Sequence, residues 1–216
     1  DSTYFHYSNN VWGQDSLMNC VQIINTENPG YTFKFVPDSN RIVVYHPKSN
    51  KISFVYRIKQ DYAGDPLEKI YRPRIRKEHF HVLGENMFTV PEEVFNSKAE
   101  NHELNVLIDW IDFPENYVIH NTFDSQKKHQ KLTKIKLWGE FYHSVFVGGD
   151  YRIHQFTNEK KPVYFAVRAD WFNDYQDDKL LAALQKTVQS QRTFWNDNSA
   201  PYFTVILTPT QTTTDS

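Results

Sequence analysis

Apolar and polar positions alternate along most of the chain with the period of two that belongs to a half-buried strand. Tyr31-Thr-Phe-Lys-Phe-Val36 is the clearest run. Arg41-Ile-Val-Val-Tyr45 follows the turn-forming Pro37-Asp-Ser-Asn40, and residues 51–58 follow Pro47-Lys-Ser-Asn50. Three β-rich runs divided by four-residue turn signals predict a meander. Further strands are predicted at 103–109, 117–120, 134–138, 144–147, 151–156 and 162–168. Between two of them, Gly148-Gly149 offers the positive φ angles of a tight hairpin. About nine short strands with no helix between them predict a mainly β fold, an antiparallel β-sandwich.

The texture changes near Asp177. Leu181, Leu184, Val188 and Trp195 follow helical spacing, widened by Leu180 and Ala182-Ala183, and predict a helix over about 178–195. Asp177 or Asp178 is placed to cap its first turn, and Asn196-Asp-Asn198 with Pro201 to stop it. Tyr202-Phe-Thr-Val-Ile-Leu207 is nearly all apolar, the signature of a strand buried on both faces. A helix and one such strand cannot bury themselves. The expectation is a β-sandwich over 1–172, followed over 173–216 by a short α/β segment that opens a second domain.

Composition narrows the function. Lys plus Arg number 24 against 26 Asp plus Glu, so the basic excess of a phosphate-neutralising nucleic-acid binder is missing and no nucleic-acid partner is expected. No apolar run approaches the roughly 18 residues of a membrane helix, so no membrane span is expected. Cys20, the single cysteine, excludes an internal disulfide and any cysteine-built zinc site. It has no neighbouring charge to mark it as a nucleophile. No apolar leader precedes Asp1, and no Asn-x-Ser/Thr sequon is found. A bacterial cytoplasm and a periplasm after signal removal both fit.

Candidate chemistry is thin. Glu78-His79-Phe80-His81 puts two imidazoles on one face of a strand, but no third ligand follows at a telling spacing. His102-Glu-Leu-Asn-Val106 begins like a zinc-protease helix and has Val where the second histidine must stand. Lys127, Lys128, Lys131, Lys134 and Lys136 form a basic run around His129, read as a solvated loop leading into a strand. The tryptophans, Trp12, Trp110, Trp138, Trp171 and Trp195, read as core residues, each burying roughly 150–250 Å². Nucleophile-elbow, phosphate-loop and dinucleotide motifs are lacking. The residues themselves supply no catalytic set.

Several phrases, in order, resemble the zinc metallopeptidases of the glycyl-aminopeptidase family. They are Tyr71-Arg-Pro-Arg-Ile with Glu78-His-Phe-His-Val-Leu-Gly84, Phe88-Thr-Val-Pro-Glu92 and Asp109-Trp-Ile-Asp-Phe-Pro-Glu115. Then follow Val147-Gly-Gly-Asp-Tyr-Arg-Ile153, Ala166-Val-Arg-Ala-Asp-Trp171, Gln191-Arg-Thr-Phe-Trp195 and Pro201-Tyr-Phe-Thr-Val-Ile-Leu-Thr-Pro209. The likeness spans about residues 40–209. The wider group includes aminopeptidase N and leukotriene hydrolase, in which an N-terminal β domain precedes a thermolysin-like catalytic domain.

The resemblance implies a non-catalytic N-terminal region of a zinc-dependent peptidase, with the His-Glu-x-x-His helix, the zinc and a PDZ-like domain outside this chain. No catalytic or metal residue carries over, and the chain is expected to be inactive alone. The implied partners are the missing catalytic domain and, in the full enzyme, a peptide substrate whose cleft the β domain walls. Glu85 and Asn86, in the turn beside the histidine strand, and His81 are the candidate rim, where a carboxylate attracts a free amino group. Two rival readings are a free-standing aromatic-rich module for sugar or peptide, and a metal enzyme using His79 and His81.

Overall fold

The computed structural model describes residues 1–7, 21–24 (backbone only), 30–36, 39, 41–49, 51–60, 72–96, 103–123, 128–169, 176–200 and 203–208. Trp12, Cys20, Pro37, Asp38, Asn40, Asn50, Tyr71, His102, Lys127, Asp170, Trp171, Pro201, Tyr202 and residues 209–216 lie outside them.

In chain order the strands are β1 (Ser2–His6), β2 (Val21–Ile24), β3 (Thr32–Val36), β4 (Arg41–Tyr45), β5 (Val55–Ile58), β6 (Arg74–Ile75) and β7 (His79–Leu83). They continue as β8 (Val90–Pro91), β9 (Glu103–Asp109), β10 (Val118–Asn121), β11 (His129–Lys136) and β12 (Val145–Gly149). The last three are β13 (Tyr151–Asn158), β14 (Lys161–Arg168) and β15 (Phe203–Leu207). Two short helices, α1 (Gly84–Met87) and α2 (Glu92–Asn96), precede a long one, α3 (Asp177–Trp195). The fold is mainly β with antiparallel sheets, as the alternation predicts, and the α/β segment is present as α3 and β15.

A central sheet, ordered β10-β12-β7-β6, carries the main core on one face. Phe80, Val82, Ile119 and Phe146 project from it toward Ile108 and Leu132 of the β9–β11 ribbon, with Trp110 and Phe141 closing the cluster. A second sheet, β3-β4-β1-β8, has its own core of Phe5, Tyr7, Ile42 and Val44. On the other face of the central sheet, Val147 meets Tyr151 and Ala166 of the three-stranded sheet β13-β14-β15. The basic run is solvated as expected, with Lys128, Lys131, Lys134 and Lys136 all exposed.

Six local expectations are corrected. The meander is broken: β4 lies between β3 and β1, while β5 pairs with β2. Ile42, Val43 and Val44 are all buried, which marks a central strand without naming its neighbours. Gly148-Gly149 makes no hairpin, since β12 pairs with β7 and β10 and β13 pairs with β14. The two glycines instead let the neighbouring strand approach: a methyl group at Gly148 would overlap the Phe80 ring, and one at Gly149 the Glu78 carbonyl and His79. The strand expected at 134–138 ends at Lys136, because Leu137–Phe141 closes a single π turn.

Asp177 does not cap α3; its carboxylate accepts two hydrogen bonds from Arg152 (2.8 and 2.9 Å) and pairs with His154 at 2.7 Å. Chiefly the Arg152 contact holds that carboxyl at about 2. Charge pairing across to β13 wins over capping because it satisfies both carboxylate oxygens at once. At the other end Asn196 adopts the left-handed conformation (φ 47°) and its N–H returns to Arg192 and Thr193, the expected stop. Last, β15 is not buried on both faces. It is the terminal strand of its sheet among the described residues, parallel to β14, and Phe203 is 40% exposed. Trp195, read with the other tryptophans as a core residue, is 73% exposed, and only Val188 of α3 is buried.

Candidate functional site

The period of two in β7 separates its side chains cleanly: Phe80 and Val82 enter the aromatic core, and His79 and His81 face the three-stranded sheet. Their shared face is as the spacing requires. Their partners differ. His79 accepts a hydrogen bond at Nδ1 from Arg168 Nη1 (2.6 Å), and Arg168 also grips Asp150 through Nε (2.5 Å) and Nη2 (3.0 Å). A ring nitrogen whose lone pair takes an arginine proton is not available to a metal. His81 stands opposite Arg74 in the β6–β7 register. Burial first, then the charges of Arg74 and His79, lower its pKa from 6.5 to about 4. This donor set does not fit zinc, and among the described residues no group of three or more His, Cys, Asp or Glu is placed to hold a metal. No metal step is assigned to these residues.

His81 opens onto a recess of about 320 Å³, lined also by Thr122, Val145, Phe203, Thr204 and Ile206. The recess therefore lies between the central sheet and β15. Thr122 Oγ1 accepts from the Val145 N–H at 2.8 Å, and Thr204 Oγ1 bonds Nε2 of the fully buried His120 at 2.6 Å. His120 and Thr204 tie the two sheets together across 84 residues, and no local pattern marks either one. The recess thus presents a neutral imidazole, two hydroxyls and apolar walls.

Glu85 and Asn86 sit one step beyond the end of β7 in α1, a single helical turn. The turn is fixed by Gly84 N–H to the Ser144 carbonyl (2.8 Å) and Glu85 N–H to the Tyr142 carbonyl (3.0 Å). Glu85 is half-buried, and burial raises its carboxyl pKa against a smaller opposing pull from His143. Asn86 is buried, and neither its Oδ1 nor its Nδ2 has a hydrogen-bond partner among the described residues. Neither residue lines the recess beside His81. The three rim candidates thus occupy one strand and the turn after it, but only His81 faces that opening.

The His81 shift makes a pH prediction. The unfolded ring takes a proton near 6.5 and the folded ring only near 4, so the unfolded state binds more protons in between. Stability falls as pH drops from about 6.5 to 4, and His81→Phe removes that part of the fall. A ring-proton NMR titration is expected to show His81 neutral until about pH 4; a midpoint near 6.5 would contradict the burial of this ring.

No protein-family model matches the sequence, and no curated protein is significantly similar to it. The fold is similar to that of an aminopeptidase N family protein from Idiomarina loihiensis, with a TM-score of 0.67 and 10% identity. The similarity covers 94% of this chain and 33% of that protein, so the chain spans about a third of its solved neighbour. At this identity the likeness is one of fold.

Proposed function

We propose that residues 1–216 are the non-catalytic N-terminal region of a zinc-dependent, aminopeptidase-like metallopeptidase. The β-sandwich of 1–172 packs on the catalytic domain that 173–216 begins, and it walls the peptide cleft. The observation that carries this reading is the fold likeness over nearly the whole chain to about a third of an aminopeptidase N family protein. The ordered phrases from Tyr71 to Pro209 support it from the sequence side. Zinc belongs to the catalytic domain, and peptide is the substrate of the whole enzyme. In this reading Glu85 faces the amino end of that peptide, and Glu85→Gln raises KM for substrates with a free amino group by about tenfold, leaving N-blocked ones unchanged.

The test compares the polypeptide of the complete reading frame with residues 1–216 alone. The complete polypeptide is expected to hold stoichiometric zinc and to show chelator-sensitive aminopeptidase activity. The 216-residue chain is expected to show neither after dialysis, because it lacks the His-Glu-x-x-His imidazole pair and its glutamate base. Zinc or activity in the short chain, or neither in the long one, overturns the proposal.

One observation favours the sugar- or peptide-binding alternative. Tyr4 and Tyr45 are exposed on the face of the β3-β4-β1-β8 sheet opposite Phe5, Ile42 and Val44, and Tyr4 borders a recess of about 440 Å³ with Glu92, Glu93 and Asn96. Binding of an oligosaccharide or peptide that Tyr4→Ala abolishes, by a polypeptide without zinc, would select that reading.

A further inference from the structure

We propose that the recess walled by His81, Thr122, Val145, Phe203, Thr204 and Ile206 is a binding site for a small uncharged molecule with an apolar body and one hydroxyl or amide group. The inference does not depend on the metallopeptidase reading above, and its ligand is not the peptide substrate.

The first argument is the set of hydrogen-bonding groups left over there. The His81 ring bonds to its own main chain, and no other residue among the described ones hydrogen-bonds it. A neutral imidazole that gives its one N–H to its own carbonyl keeps a lone pair on the second nitrogen. Thr122 Oγ1 accepts from the Val145 N–H at 2.8 Å, and its own O–H has no acceptor among the described residues. One unspent acceptor and one unspent donor thus border the same recess. A hydroxyl or primary amide both donates and accepts, so a single such group on a ligand matches the two. Left without a partner, each costs stability, and water is the occupant a ligand displaces.

The second argument is charge. None of the six lining residues carries one, since His81 is neutral above about pH 4. A carboxylate or ammonium group entering here would exchange its water for hydroxyls and one ring nitrogen, a poor trade for an ion. Arg74, opposite His81 in the β6–β7 register, adds repulsion for a cation. It is not part of the lining, so an anion in the recess gains no contact with it. Val145, Phe203 and Ile206 complete the site with apolar wall, and Phe203, 40% exposed, has ring surface to give a ligand.

The third argument is that the walls are set before anything binds. His81 stands in β7, between β12 and β6. Thr204 is tied at 2.6 Å to the fully buried His120, and Thr122 to the main chain of β12. A site held this way loses little freedom when a ligand arrives. Its volume of about 320 Å³ is at the small end of ligand pockets, with room for one ring and a short polar arm.

The experiment titrates the complete polypeptide, carrying isotope-labelled histidine, with benzyl alcohol, benzoate and benzylamine at neutral pH. The three probes share one ring and differ in the charge of the polar arm. Benzyl alcohol is expected to shift the ring signal of His81, the one that His81→Phe removes. The shift is expected to saturate with a midpoint of about 1–10 mM, the range for a ligand of about eight non-hydrogen atoms. The exposed ring of His129 is expected to stay where it is. Benzoate and benzylamine are expected to bind at least about tenfold more weakly. Thr122→Val is expected to weaken benzyl alcohol at least about tenfold, and Thr122→Ser to restore it to within about threefold. Val145→Phe, which fills the recess from β12, is expected to abolish the shift. These variants alter different walls, and the three probes on the unaltered chain decide even where a variant fails to fold. No saturable His81 shift, a charged probe binding as tightly as the alcohol, or an affinity unchanged by Thr122→Val or Val145→Phe overturns the proposal.

Discussion

Gly149→Ala is expected to unfold the protein or leave it close to unfolding. Gly149 holds φ at +128°, a conformation that L side chains rarely adopt. A methyl group there would also overlap the Glu78 carbonyl and the Cα of His79, and backbone cannot step aside as a side-chain tip can. Strain of this kind costs about 1–3 kcal/mol, and overpacking against a fixed neighbour a further 1–3 kcal/mol. Together they approach the 5–15 kcal/mol that holds a typical domain. Gly139→Ala is the control, because nothing lies within 4 Å of a methyl group there. Urea unfolding followed by far-UV circular dichroism is expected to show a large fall in midpoint for Gly149→Ala and about 0.5 kcal/mol or less for Gly139→Ala. Equal midpoints would show that β12 and β7 are not packed as closely as described.

That glycine pair shows where reading the sequence stops. Two adjacent glycines between strand-like runs are a turn signal, and the turn is elsewhere. The hairpin that follows turns at Glu159-Lys160, with φ of 47° and 67°, joining Asn158 to Lys161. Neither residue is the asparagine or glycine such a turn favours. The pairing of β13 with β14 over eight residues outweighs the local cost. The helix, its stop at Asn196 and most strands were legible because each depends on a period within a short window. Strand neighbours were not, since Arg41–Tyr45 looks the same beside Ser2–His6 as beside Val55–Ile58.

The candidate site divides along the same line. That His79 and His81 share a face follows from the period of two. That His79 is engaged by an arginine 89 positions away, and His120 by a threonine 84 positions away, follows only from how the sheets stack. Asn86 makes the same point in reverse. Its type and its neighbours suggest a turn at the surface, and the packing of Phe88 against Phe141 and Phe146 draws that turn inward.

Phe146 is the residue on which that packing converges, and Phe146→Ala is expected to cost about 3–5 kcal/mol. Its side chain is fully buried, and the rings of Phe88, Trp110, Phe123 and Phe141 all lie with centroids 5.3–6.5 Å away. The four surrounding aromatic residues cannot collapse onto a methyl group without losing the packing they make with one another, so most of the cavity stays open. Phe146→Leu keeps most of the volume and is expected to cost about 1–1.5 kcal/mol. Leu107→Ala supplies the contrast: this residue also alternates on a strand, but it is 75% exposed and its loss is expected to change stability by about 0.5 kcal/mol or less. The effect reaches the other face of the sheet. Val145 and Val147 flank Phe146 on β12, and Val145 walls the recess beside His81, so a sagging core lets water toward that ring. In the folded Phe146→Leu protein the His81 titration is therefore expected to rise from about 4 toward 6.5. An unchanged His81 titration together with the expected loss of stability would show that the two faces of the central sheet are mechanically independent.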